Sequence, residues 1–193
     1  MKKFIKFNII AIVLLASSAA FSQQLPQFTQ YMYNTVSINP AYAGSRETLS
    51  IVGLHRSQWT GIDGGPTTQT LSVHSPLRNE KIGLGVSFIK DKLGFENFNY
   101  LYADFSYTIQ TSETAKLAFG LKGGFTGYSI DQELRDLYPN DPAIYGIENR
   151  WKPNLGAGVY WHSNRWYVGL STPRILNTNY NGEEDYEALE KVS

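Results

Sequence analysis

The sequence predicts an all-β fold: an outer-membrane antiparallel β-barrel, here a partial barrel of about seven strands, with a short N-terminal helical segment. Three observations predict this fold: alternating apolar and polar residues, connections that alternate in length, and an N-terminal export signal. The clearest alternation spans 81–90 and recurs over 100–109 and 117–126. In 81–90, Ile82, Leu84, Val86 and Phe88 share one face, whereas Gly83, Gly85, Ser87 and Ile89 share the other. Strands with one apolar face suit a wall between lipid and water.

The N-terminus predicts a signal peptide over residues 1–22. Lys2, Lys3 and Lys6 precede an apolar stretch over 7–16, and the segment Ala20-Phe21-Ser22 supplies small residues for cleavage between Ser22 and Gln23. A retained transmembrane anchor is the alternative, but the apolar run is shorter than the roughly 20 residues that a spanning helix needs. The chain contains no cysteine, which excludes a lipoprotein, a disulfide and a thiolate nucleophile.

Residues 23–47 are predicted to form an N-terminal periplasmic segment. Pro26 can begin a helix, whose apolar face would carry Phe28, Tyr31, Met32 and Val36, and Pro40 would end it before a turn at Gly44. Such a helix could plug the barrel, dock a partner or merely cover the lower rim. The interaction candidates are Phe28, Tyr31, Asn39, Pro40, Tyr42 and Trp59.

The barrel region, residues 48–172, is followed by a polar loop over 173–193, at which the sequence is predicted to be truncated. The predicted strands are 48–58, 67–76, 81–90, 98–110, 115–128, 152–162 and 166–172. Short links over 77–80, 111–114 and 163–165 alternate with long links over 59–66, 91–97 and 129–151. Tight turns on one side and long loops on the other are typical of outer-membrane barrels, whose periplasmic turns are short.

Aromatic residues are abundant, with 13 Tyr, 10 Phe and 4 Trp. An interfacial girdle is predicted to contain Trp59, Tyr128, Trp151, Trp161 and Trp166. Inward-facing tyrosines, namely Tyr100, Tyr102, Tyr160 and Tyr167, are predicted to narrow the lumen. A soluble secreted sandwich would also be aromatic and alternating, but it has no reason to obey the asymmetry of connection lengths.

No catalytic, cofactor or metal site is predicted. His55, His74 and His162 lie on three separate predicted strands without a Gly-x-Ser-x-Gly elbow, and the glycines over 120–124 lack phosphate-loop spacing. The acidic residues over 129–151 match no calcium loop, so a solvated or protein-binding loop is favoured. Without the three signal lysines, 14 basic residues face 17 acidic ones, which argues against nucleic acid as a partner.

Several ordered motifs resemble those of the PorP/SprF family of type IX secretion system membrane proteins of Bacteroidetes. They are Gln27-Phe-Thr-Gln-Tyr-Met-Tyr-Asn34, Ile38-Asn-Pro-Ala-Tyr-Ala-Gly-Ser45, Arg56-Ser-Gln-Trp59, Gly64-Gly-Pro-Thr-Thr-Gln-Thr-Leu-Ser72, the Ile-Gly-Leu-Gly strand and the segment from Gly169 to Pro173. The resemblance covers 23–172 and implies a role in gliding motility and in export or surface attachment of adhesins. Family chains are typically longer, which leaves barrel closure by this chain open.

Three functions therefore compete. The first is a non-enzymatic secretion or motility component that binds exported adhesin or periplasmic ring proteins of the translocon. The second is a porin or ligand transporter, and the third is an outer-membrane enzyme. The resemblance favours the first, with outer-membrane lipid as the surrounding medium.

Overall fold

The structure, a computed structural model, describes residues 32–139 and 150–176, and the backbone of 178–179 and 189–190. Seven antiparallel strands form one sheet, in chain order, that curves into a half-barrel. The strands are β1 (Ser50–Ser57), β2 (Thr67–Pro76), β3 (Ile82–Leu93), β4 (Glu96–Gln110), β5 (Ala115–Ile130), β6 (Arg150–Ser163) and β7 (Tyr167–Thr172). The all-β prediction of about seven strands is confirmed, because the period of two already marked each strand.

The two faces of the half-barrel differ in polarity as the alternation predicts. On the convex face, Leu84 lies opposite Phe105, which lies opposite Leu121, and all three side chains are exposed. On the concave face, the neighbours of these residues are small or polar, and Ser106 and Lys122 are buried. A soluble protein buries its apolar face, so this inverted arrangement indicates an apolar medium outside the sheet.

One predicted connection is wrong. Residues 91–97 were expected to form a long outer loop, but β3 continues to Leu93 and β4 begins at Glu96, which leaves a two-residue turn. Gly94 has a φ of +60°, which lets the chain reverse tightly. The polar residues that suggest a loop are instead paired, with Lys92 opposite Asn97 at the strand ends.

Within the described residues, the N-terminal helix begins only at Thr35, whereas the sequence pattern also places Met32 on its apolar face. Helix α1 covers Thr35–Ile38, and a 3-10 turn follows over Pro40–Tyr42. Pro40 ends α1, as expected, and the Asn39 side chain accepts a hydrogen bond from the Ala41 amide at 3.0 Å. Residues 26–31 of the predicted helix lie outside the described residues.

Two further elements lie after β5 and β7. A short helix, α2 (Gln132–Leu137), follows β5 directly, and its Leu134 packs against the buried pair Tyr128 and Ile130. Within the predicted polar loop 173–193, β8 (Thr178–Asn179) pairs antiparallel with β9 (Leu189–Glu190). Among the described residues, no helix is long and apolar enough to cross a membrane.

Candidate functional site

The concave face of the half-barrel is covered by the chain's own residues 34–44, here called the inner segment. They lie on a strip of the sheet, the inner groove, that is lined by Gly83, Gly85, Ser106, Gly120 and Gly158. A Cβ atom added at Gly120 would lie 2.0 Å from the Ala41 nitrogen, and one at Gly83 would lie 2.1 Å from the Ala43 oxygen. The glycines therefore leave the space that the backbone of the inner segment occupies.

A buried ion pair lies at the middle of the inner groove. Lys122 of β5 and Asp104 of β4 are directly opposite in register, with Nζ and Oδ1 3.0 Å apart, and their side chains are 1% and 0% exposed. Nζ also donates to the carbonyl oxygens of Val36 at 3.1 Å and Ser37 at 3.0 Å. The ammonium thus has the Asp104 carboxylate as its counter-ion and two carbonyl acceptors, which offset part of the cost of burying it.

The same ion pair binds the last turn of α1. The final carbonyls of a helix have no partner within the helix and carry partial negative charge. The Lys122 ammonium satisfies two of them from the sheet, 86 and 85 residues away in sequence. Its Nζ also lies 5.3 Å from the centre of the Tyr102 ring. The conformation of the inner segment is therefore coupled to the charge of Lys122 on the concave face.

Further hydrogen bonds fix both ends of the inner segment. Near its start, Asn34 accepts from the Ser72 hydroxyl at 2.5 Å and donates to the Thr70 hydroxyl at 3.3 Å. Near its end, the Ser106 hydroxyl donates to the Ala43 carbonyl at 2.6 Å, and the Gly44 amide donates to Nδ1 of His74 at 3.1 Å. In its middle, the Asn39 amide group donates to the Val159 carbonyl at 3.1 Å. In most of these hydrogen bonds, one of the two bonded groups belongs to the main chain.

The part of the concave face nearer the outer loops is aromatic. Tyr100 is buried and stacks with Phe98, whose ring centre is 4.8 Å from that of Tyr128. The chain after β7 returns to this face, where the Arg174 guanidinium lies 4.8 Å from the centre of the Tyr100 ring. Asn154 holds the returning chain, because its side chain accepts from the amides of Ile175 and Leu176 and donates to the Leu176 carbonyl.

Each of the two rims carries a partly exposed ion pair. At the lower rim, Lys116 forms an ion pair with Glu47, and this hydrogen bond lowers the pKa of Glu47. At the outer rim, Asp131 accepts from Lys92 and from Asn97, both at 2.6 Å. The hydrogen bond from Lys92 is the main reason that the pKa of Asp131 is lowered. Asp131 thereby ties the start of the outer loop to the β3–β4 hairpin.

The model of the family described as type IX secretion system membrane protein PorP/SprF matches residues 20–193. The chain belongs to the PorP/SprF family. No curated protein and no solved structure matches it. The family assignment therefore stands on nearly the whole chain and agrees with the resemblance seen in its motifs.

Three interaction candidates of this PorP/SprF chain lie within the inner segment. Asn39 and Pro40 are buried, so their side chains contact the sheet. Tyr42 is half-buried, and its ring makes edge contacts with His74 at 5.5 Å and Tyr160 at 5.3 Å between ring centres. In this form of the protein they serve an intramolecular contact, and their role toward a partner stays a prediction.

The other candidates lie elsewhere. Trp59 is in the loop between β1 and β2, has a φ of +53° and is 65% exposed. That loop is braced by a hydrogen bond from the Gly94 amide to the Gly64 carbonyl at 3.2 Å. Phe28 and Tyr31 lie outside the described residues, which begin with the exposed pair Met32 and Tyr33. Whether any of these residues binds a partner stays a prediction.

The predicted aromatic positions divide between the two faces. Tyr100, Tyr102 and Tyr160 are buried on the concave face, whereas Tyr167, on the last strand of the sheet, is exposed although its ring contacts Tyr160. The girdle prediction is wrong for Tyr128, which is buried among inward residues because its side chain points to the concave face. The four tryptophans are exposed, namely Trp59, Trp151, Trp161 and Trp166.

The histidines do not form a catalytic arrangement among the described residues. His74 is buried and accepts the Gly44 amide, and His162 stacks on Tyr160, whereas His55 is exposed on β1. The structure places no group of three or more His, Cys, Asp or Glu together within 32–139 and 150–176. Of the acidic residues in the outer loop, Asp141 and Glu148 lie outside the described residues.

The sequence patterns did not single out Lys122 and Asp104 as partners. Both residues lie on the inward faces of their strands by alternation, which was the available signal. Two opposite charges at inward positions of consecutive strands can pair only in the correct register, and the length of the β4–β5 turn fixes that register.

Proposed function

We propose that this PorP/SprF protein is a non-enzymatic outer-membrane component of the type IX secretion and gliding motility machinery that supports export or surface attachment of adhesin-like proteins. The observation that carries the proposal is the inverted half-barrel, whose convex face is apolar and whose concave face is polar and covered. This arrangement suits strands that meet lipid on one side. The match to the PorP/SprF family model supports a place for this protein in the type IX secretion system.

Two surfaces are proposed as contacts with protein partners on opposite sides of the membrane. On the periplasmic side, the proposed contact runs from Phe28 to Tyr33, just before the inner segment, and its described residues Met32 and Tyr33 are 60% and 61% exposed. On the outer side, α2 ends in the exposed residues Leu137 and Tyr138, and Trp59 projects from a neighbouring loop. Exposed aromatic anchors dominate many interfaces. The proposed partners are a secreted adhesin, periplasmic ring proteins of the translocon, or both.

Genetic replacement tests this proposal. A strain that lacks the gene is complemented with the full-length protein or with a triple alanine variant of Phe28, Tyr31 and Tyr42. We expect the variant to reach the outer membrane but to lose adhesin display and recovery of ring proteins in pull-down. Because Tyr42 packs inside the half-barrel, a variant of Phe28 and Tyr31 alone is the matched control for loss of that packing. Recovery of the native chain as a soluble periplasmic protein would contradict the proposed location.

A porin or ligand transporter is the second candidate, and the polar concave face favours it. Ser72, Ser106 and Lys122 would suit a water-filled channel if the inner segment left the groove. Planar bilayers containing the purified full-length protein separate the two functions by conductance. Steady ion conductance with substrate selectivity would favour transport, whereas a closed bilayer together with partner recovery favours the secretion role.

A further inference from the structure

We propose that the inner groove is a peptide-binding site, that residues 34–44 are its intramolecular occupant, and that a segment of a partner protein with small side chains and the same helix-and-turn conformation replaces them. This inference goes beyond the proposed function, because it names a binding site and the chemical class of its ligand. It does not depend on which exported protein or ring protein is the partner.

The first argument is that the groove recognises the main chain of its occupant. Lys122 donates to the carbonyl oxygens of Val36 and Ser37, and Ser106 donates to that of Ala43. On the acceptor side, His74 accepts the amide of Gly44. Carbonyl and amide groups are common to every polypeptide, so another segment that adopts the same helix and turn can make the same four contacts.

The second argument is that the glycine floor selects small side chains. The backbone at Ala41 fills the space above Gly120, and the Asn39 side chain lies 2.2 Å from where a Cβ of Gly158 would be. Ala41 is 0% exposed and Ala43 is 1% exposed, so neither position has room for a larger side chain. The groove therefore accepts alanine or glycine at these positions and excludes bulky residues.

The third argument is that the occupant can leave without exposing a large apolar core. The surface beneath it is formed mostly by polar groups, namely Thr70, Ser72, His74, Asp104, Ser106 and Lys122. Its apolar part is limited to Ala118 and Tyr160, which pack on Ala41. Water can hydrogen-bond to each of these groups after the inner segment departs. The buried apolar side chains that the segment contributes are those of Val36, Pro40, Ala41 and Ala43. Such a contact resembles an exchangeable interface more than a protein core.

The chain contains no cysteine, so one introduced thiol reports on exchange. Val36→Cys places a thiol on the buried side of the inner segment, where the side chain is 1% exposed. The probe is a synthetic peptide with the sequence of residues 32–46, and its control carries leucine at the positions of Ala41 and Ala43. We expect the probe to accelerate maleimide labelling of the full-length protein at least tenfold in a saturable manner, and the control peptide to have no effect. An unchanged labelling rate with both peptides would overturn the proposal.

A disulfide lock provides the second measurement. A Cβ at Gly85 would lie 3.4 Å from Cγ2 of Val36, so Val36→Cys with Gly85→Cys can bridge the inner segment to β3. Binding of the fluorescent probe peptide should be absent in the oxidised protein and present after reduction. The matched control pairs Val36→Cys with Leu84→Cys, which lies on the convex face and cannot bridge. Equal binding to the oxidised and reduced lock would place the peptide outside the groove and overturn the proposal.

A third pair of variants distinguishes expulsion of the occupant from damage to the groove. Ala41→Leu should expel the inner segment, which removes intramolecular competition and strengthens probe binding at least tenfold. Gly120→Leu fills the groove itself and should abolish probe binding. Identical probe affinities for the two variants would overturn the proposal. These assays leave membrane insertion and adhesin display untouched, so a failure here is separate from a failure of the proposed function.

Discussion

Lys122 and Asp104 face each other across β4 and β5, 3.0 Å apart and shielded from solvent by the inner segment. The pair holds the inner segment because the ammonium also binds the carbonyls of Val36 and Ser37. One cross-strand contact thus connects the wall of the half-barrel with the segment that covers it. Removing this contact should therefore destabilise both the sheet and the inner segment.

Lys122→Met should lower the free energy of unfolding by about 3–5 kcal/mol, because it leaves the Asp104 carboxylate buried without its cation. Adding Asp104→Asn should recover a large part of this loss, since the buried charge is then gone. Urea titration of the protein refolded in lipid vesicles provides the measurement. Lys152→Met, at an exposed position on β6, is the matched control. A single variant as stable as this control would show that the pair contributes little.

Gly120→Ala should destabilise the protein by about 1–3 kcal/mol through overpacking. Its new Cβ would meet the Ala41 nitrogen at 2.0 Å, so the inner segment must shift. Gly53→Ala, on β1, is the control because a Cβ there meets nothing within 4 Å. Urea titration gives the stability change, and protease protection of the inner segment gives the displacement. Equal behaviour of the two variants would contradict the close packing.

Leu84→Arg should cost about 2–4 kcal/mol in lipid if the convex face lies near the bilayer midplane. The matched change Gln110→Arg, at the exposed end of β4, should cost much less because that end lies at the rim. Refolding into vesicles and urea titration compare the two. Equal tolerance would mean that the convex face does not contact acyl chains.

The outer loop should loosen from the β3–β4 hairpin in acid. The pKa of Asp131 in the folded protein lies below its ordinary value of 3.8, so its stabilising effect is present above that pH and is lost as the pH falls through the lower folded pKa. Asp131→Asn should therefore be less stable than the native protein at pH 7, and this difference should shrink as the pH falls below 3.8. Urea titration across this range checks it.

Asp136→Asn, on the exposed side of α2, is the matched control for that titration. We expect the free energy of unfolding of this control to differ little from that of the native protein throughout the pH range. A stability difference for Asp131→Asn that stays constant from pH 7 to acid would contradict the role of the Lys92 ion pair.

Several features could be predicted from sequence because they depend on neighbouring residues. The period of two located the strands and assigned Leu84 and Val86 to the apolar face. Pro40 ended the helix because proline cannot continue it. The β3–β4 connection was misjudged, since polar residues at a strand end resemble a loop and only pairing distinguishes them.

The candidate site depends on contacts between distant residues, and no local pattern could supply them. Asn39 and Pro40 were selected as interaction residues, but the structure buries them against strands that follow much later in the chain. Gly83 and Gly120 were visible as small inward residues, whereas their match to the backbone of the inner segment needed the assembled sheet.

The sequence by itself determined the all-β class, the two faces of each strand and the resemblance to PorP/SprF proteins, because side-chain alternation and ordered motifs are properties of the linear chain. The tertiary structure decided that residues 34–44 cover the concave face and that Lys122 meets Asp104 beneath them. The physical reason is register: a shift of one residue between β4 and β5 would move one of the two charges to the apolar face. Only the folded sheet, with its turns in place, fixes which residues meet.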